Sequence, residues 1–231
     1  MTDNKGFLYE NTINDKLLKY GLGTGQGAGS DSNAPDAELI LRNNKHKIEI
    51  KLDLAVDFGQ GSLDYDLTKK KWILGGAKTA SAQQMREFLT AVKVPELVQK
   101  EWGNAGPPRK FTVPTTQFKQ KDVDFDYKHF TDRYVSIPNT AVANYYNSKK
   151  TYYIQIGGYG LYHMGRDVAK LDTPEFNLQL KLRIRLKRGG SNPIYNYRFT
   201  TAIQAVKGSL KKSSCDLSND DFLKAIKARS S

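Results

Sequence analysis

Glu49 and Lys51 stand two apart in the run Lys47-Ile48-Glu49-Ile50-Lys51, and Asp36 follows Pro35 a short way upstream. The alternation of apolar and charged residues predicts a β-strand, on which side chains two apart leave one face with their Cα atoms roughly 6 to 7 Å apart. A carboxylate and an ammonium so placed suit the hydrolysis of a phosphodiester. That reaction needs an activated water, stabilisation of charge at phosphorus and help for the leaving oxygen, and a carboxylate-held divalent metal supplies all three. Mg²⁺ takes a few carboxylate oxygens and fills its shell with waters and substrate oxygens. It is therefore the expected cofactor, with Mn²⁺ able to substitute. Asp36 and Glu49 are the expected ligands and the Ile50 carbonyl a further one. Lys51 would hold the attacking water or a non-bridging phosphate oxygen.

Such groups need elements to bring them together. From Phe7 to Tyr20 the apolar residues Phe7, Ile13, Leu17 and Leu18 recur at helical spacing, which predicts a helix. Glu10 lies within that stripe, since residues 7, 10, 14 and 17 share a face, so its carboxylate should point into the body of the protein. A glycine-rich loop from Gly21 to Asn33 follows and ends at Pro35-Asp36. Residues 37 to 42, a turn at Asn43-Asn44, and residues 47 to 53 then read as a β-hairpin. Ile48, Ile50 and Leu52 take one face of its second strand; Glu49, Lys51 and Asp53 take the other.

Pro35-Asp36 followed by Glu49-Ile50-Lys51 resembles the motif of the PD-(D/E)xK nuclease superfamily, which includes restriction endonucleases, Holliday junction resolvases and repair and phage exonucleases. The resemblance extends to order and context and covers roughly residues 5 to 55. It implies a restriction-endonuclease-like fold, DNA cleavage, and a role for Glu10 as the helix acid that assists metal binding. The compact spacing is most similar to the archaeal-type resolvases, in which a loop serine can assist; Ser30 or Ser32 would match it. The long insertion from Gly59 to Leu74 and the large C-terminal part depart from the resolvases.

The rest of the chain supplies charge. Thirty-six Lys and Arg against 24 Asp and Glu give a net charge of +12, which favours a polyanionic partner because neutralising phosphates releases counterions. One cysteine, Cys215, excludes an intramolecular disulfide and a thiolate zinc cluster. With no targeting segment and no apolar run of membrane-spanning length, the chain reads as cytoplasmic. Lys181, Arg183, Arg185 and Lys187 share one face of a strand whose other face is Leu180, Leu182, Ile184 and Leu186, a basic ribbon able to follow a DNA backbone. Its plain alternative is the solvated face of a sheet. Asp122, Asp124 and Asp126 alternate but lack calcium-loop spacing, and read as an exposed strand or loop. Tyrosines such as Tyr145, Tyr146, Tyr152, Tyr153 and Tyr162 read as sheet packing before base stacking. Ser81 is the expected cap of a helix running to about Lys93, and Ser218 with Asp221 that of the last helix.

The expected fold is α/β, a mixed central sheet flanked by helices with a β-rich C-terminal elaboration. Residues 1–105 would form the catalytic core and 115–231 the DNA-contacting part, divided at Gly106 to Pro114. The expected function is a metal-dependent DNA endonuclease in which Glu10, Asp36 and Glu49 hold the metal and Lys51 orients the water, with a homodimer compatible with double-strand cutting. The alternative is a non-catalytic nucleic-acid-binding protein using the ribbon at Lys181 to Lys187.

Overall fold

The computed structural model describes residues 5–25, 27, 35–138, 140–189, 194–206 and 208–230. It is mixed α/β with two sheets, each flanked by helices, and the chain divides into two compact units. The first comprises Met1–Val56, Asn139–Gln179 and Ala205–Ser231; the second comprises Asp57–Pro138 and Leu180–Gln204. The division expected at Gly106 to Pro114 is thus corrected, because that stretch lies inside the second unit and residues 115–231 contribute to both. Pairing of strands far apart in sequence, rather than a linker, sets the units.

In the first unit, α1 (Lys5–Lys19) precedes the hairpin β1 (Ala37–Leu41) and β2 (Asn44–Lys51). The hairpin turns through Arg42 and Asn43, both left-handed with φ of 48° and 64°, one residue earlier than the expected Asn43-Asn44. Two positive-φ residues match the right-handed twist of the flanking strands. Further elements are α6 (Ala141–Ser148), β6 (Thr151–Ile156), β7 (Gly160–His163) and α7 (Asp220–Ser230). The sheet runs β1-β2-β6-β7, with β2 parallel to β6 and the other neighbours antiparallel.

Ile48 and Ile50 of β2 join Ile13 and Leu17 of α1 and Leu223 and Ile226 of α7 in one buried cluster. Glu49 and Lys51, of opposite parity, face the side on which α6 lies, so β2 is covered on both faces. Burial of an apolar side chain contributes about 1.5–3 kcal/mol, and this core fixes the strand that carries the site. Gly157 follows β6 and donates its N–H to the Lys51 carbonyl at 2.9 Å. A Cβ there would lie 2.1 Å from the Leu52 carbonyl oxygen, so only glycine permits this closure beside Lys51. The N-terminus of α7 is capped by Asn219, which accepts from the N–H groups of Asp221 and Phe222, rather than by Ser218.

The second unit holds β3 (Gly59–Asp66), β4 (Lys71–Leu74), α2 (Ala80–Ala91), α3 (Val94–Trp102), α4 (Arg109–Thr112), α5 (Gln120–His129), β5 (Arg133–Ser136), β8 (Leu180–Arg188) and most of β9 (Tyr197–Ala205). Its five strands run β4-β3-β9-β8-β5. One face is sealed by aromatics: the Trp72 ring lies 5.1 Å from those of Trp102 and Phe199 and 5.6 Å from Phe130. Thr79, not Ser81, caps α2 by accepting from the Ala82 N–H.

Asp122, Asp124 and Asp126 lie on α5, not on an exposed strand or loop. At helical spacing Asp122 and Asp126 share a face, and both are buried. No described helix is long and apolar enough to cross a membrane.

Candidate active site

Asp36 stands just before β1. Its Oδ2 accepts the Ile50 N–H at 2.8 Å, which draws the carboxylate to the edge of β2. The Ile50 carbonyl leaves the strand on the same side as its N–H, so it too faces this edge. The Asn14 side chain then ties the helix to the hairpin. Its Nδ2 donates to the Asp36 carbonyl at 2.9 Å and to the Glu10 carbonyl at 3.0 Å. Helix spacing put Asn14 on the inward face, but nothing in its type announced this role.

Glu49 and Lys51 leave β2 together and form an ion pair, Nζ to Oε1, at 2.5 Å. The same Oε1 accepts from the Tyr146 hydroxyl at 2.8 Å. Tyr146 is buried on α6 and is the residue that sequence reasoning missed, since it stood there among the packing tyrosines. No sequence signal marks it, since the parallel pairing of β2 with β6 that brings its helix to Glu49 appears only in the fold.

The electrostatics show a surplus of negative charge. Burial, then the nearby Glu49 carboxylate, pushes the Asp36 carboxyl up to about 7, against the opposing pull of Lys51 and the Ile50 N–H. Glu10 is also raised, chiefly by burial, with Lys51 opposing and Glu49 adding. Burial alone would lower Lys51, yet Glu49, Asp36 and Glu10 together raise it, so the ammonium stays charged. The Tyr146 phenol is pushed well up by burial and by Glu49, which keeps it a hydrogen-bond donor. All four expected residues, Glu10, Asp36, Glu49 and Lys51, therefore feel one another.

Three carboxylates around one ammonium leave two negative charges in excess when all are ionised, which suits a divalent cation. Among the described residues, no group of three or more His, Cys, Asp or Glu side chains is arranged to hold a metal ion. The donor set fits Mg²⁺ of the kind that takes one or two carboxylates and leaves the rest of its shell to water and phosphate. Asp36 and Glu49, with the Ile50 carbonyl, form such a set; Glu10 acts on it from electrostatic range.

Ser30 and Ser32 lie outside the described residues. The basic ribbon lies on β8 in the second unit, and its charges are partly spent. Arg183 pairs with Asp132 at 2.5 Å and Arg185 with Asp57 at 2.8 Å. Lys181 lies over the Tyr134 ring at 4.4 Å, and the Lys187 ammonium donates to Gln60 Oε1 at 3.2 Å. No acid stands among the four in sequence; the acids come from the loop before β3 and the one before β5.

No family model and no curated protein matches the chain. Among solved structures it is similar to HhaI endonuclease in complex with DNA, at 13% identity and a TM-score of 0.47, over 99% of this chain and 98% of that one.

Proposed function

We propose that the chain is a metal-dependent endonuclease that hydrolyses the phosphodiester bonds of DNA. The observation that carries this reading is the convergence of Asp36, Glu49 and Lys51 at the edge of β2, with a half-buried aspartate whose charge the protein leaves unbalanced. Asp36, Glu49 and the Ile50 carbonyl would hold Mg²⁺, or Mn²⁺ in its place, with Glu10 adding negative potential. When bound, the ion supplies Lewis-acid stabilisation of charge on the phosphoryl oxygens.

The chain's own residues do the rest. Lys51 is held charged beside Glu49, where its Nζ can orient the attacking water or a non-bridging phosphate oxygen. Tyr146 fixes the rotamer of Glu49 by donating to Oε1, as outer partners of ligating carboxylates do. The Ile50 N–H fixes Asp36 in the same way. The net charge of +12 supports a polyanionic substrate by long-range attraction.

The test is incubation of the purified chain with linear, supercoiled, branched and single-stranded DNA, with Mg²⁺ or Mn²⁺, followed by mapping of the ends. Cleavage is expected in the wild type. Asp36→Ala, Glu49→Ala and Lys51→Ala should each abolish it while DNA binding persists. Undiminished cleavage by Asp36→Ala would sink the assignment. Salt-sensitive binding without cleavage of any substrate would favour a non-catalytic nucleic-acid-binding protein.

A further inference from the structure

The cations of the second unit differ in what surrounds them. Arg183 and Arg185 are matched by Asp132 and Asp57. At the other end of β8 lies a hollow of about 220 Å³ whose lining includes Gln60, Ser62, Lys187, Arg188, Arg198 and Thr200. No carboxylate lines it. Among the described residues, none of Lys187, Arg188 and Arg198 takes part in an ion pair.

Neighbouring groups arrange this hollow without neutralising it. Asp57 Oδ2 accepts from Gln60 Nε2 at 2.7 Å, which turns Gln60 Oε1 towards the Lys187 ammonium at 3.2 Å. Lys187 is thereby held by a neutral acceptor, a contact that sets no opposite charge against it. Thr200 contributes a second kind of signal. The residue is 6% exposed, and its buried hydroxyl has no hydrogen-bond partner among the described residues. A buried polar group left unpaired is costly, and apart from Gln60, whose Oε1 accepts from Lys187, the polar side chains here can donate. Three uncompensated cations with hydroxyl donors between them suit a tetrahedral oxyanion.

We propose that this hollow, bounded by Lys187, Arg188 and Arg198 over Thr200, binds a phosphate of a nucleic-acid backbone. The site would position the duplex and carry no sequence information. Its assignment to nucleic acid rather than to free phosphate rests on the nuclease reading; the anion chemistry does not.

The test measures binding of a short labelled duplex to the full chain in EDTA, so that no strand is cut, across a salt series. Lys187→Gln, Arg188→Gln and Arg198→Gln should each weaken binding about three- to tenfold and lower the slope of log K against log salt by about one. Arg198→Lys should restore most of the loss, and Lys224→Gln, on α7, should change nothing. Wild-type affinity and slope in all three neutralised variants, with unchanged melting temperatures, would overturn the proposal. Binding of inorganic phosphate without binding of duplex would overturn its assignment to nucleic acid. If the wild type cuts no DNA with either metal but the three variants still lose duplex affinity, the nuclease reading fails and this site stands.

Discussion

Two aspartates drawn out of water, one buried and one half-buried, one in each unit, show how differently the same side chain can be used. Asp126, on α5, is fully buried and accepts from the Arg109 N–H at 2.7 Å, the Lys110 N–H at 2.9 Å and the Tyr197 hydroxyl at 2.6 Å. Burial raises its pKa, but these donors oppose the rise. Among the described residues Asp36 has one such donor on its carboxylate, the Ile50 N–H, and a second carboxylate nearby, and it is pushed up to about 7. A buried charge satisfied on every side holds a structure together, whereas one left in deficit is strain that folding alone does not explain. Asp57, also in the second unit, follows the first pattern, accepting from Arg185, Gln60 and Gln204.

That contrast can be broken by exchanging the two outcomes. Asp36→Asn should lower cleavage by on the order of a thousandfold or more, the scale of removing a group that stabilises transition-state charge. The same change should stabilise the metal-free protein. Because the folded-state pKa of Asp36 lies above its ordinary value, wild-type stability falls as pH rises from the ordinary carboxylate range to about 7, then levels off. Asparagine does not titrate, so its melting temperature should exceed the wild type's by a margin that grows over that window. Saturating Mg²⁺ should narrow the margin by stabilising only the wild type. Equal melting curves at all pH values would show that Asp36 carries no deficit.

Asp126→Ala should do the reverse, costing about 3–5 kcal/mol of stability in urea unfolding because it leaves buried donors unpaired. Tyr146→Phe sharpens the comparison at smaller scale. Loss of the hydrogen bond to Glu49 should reduce kcat or metal affinity about 10- to 100-fold, with little change in unfolding. A variant that loses stability and keeps full activity would make Tyr146 a packing residue only. The smallest effect belongs to Asp132→Ala. Its pair with the partly exposed Arg183 should be worth under about 1 kcal/mol, and releasing that guanidinium should tighten duplex binding slightly.

The parts of the site that local pattern dictates were legible in the sequence. Alternation placed Glu49 and Lys51 on one face, and helical spacing turned Glu10 inward. Tyr146 was not legible, because its bond to Glu49 joins residues 97 apart through a parallel pairing that leaves no mark in composition. The aspartates of α5 were misread because a spacing of two is shared by strands and by exposed loops. Only the helix brings Asp122 and Asp126 together four apart and buries them. The basic ribbon was legible as a strand face but not as a charge, since Asp57 and Asp132 meet it only through tertiary contact. The interleaved units were hidden for a similar reason, as no linker marks them.

The parallel pairing of β2 with β6 also sets when the site can exist. Residues 36 to 51 leave the ribosome about a hundred residues ahead of the strand beside them and the tyrosine that holds Glu49. A nascent chain that has made only the hairpin carries the acids and the lysine without the walls that bury and align them. The chemistry therefore waits on the segment that carries Tyr146 and β6.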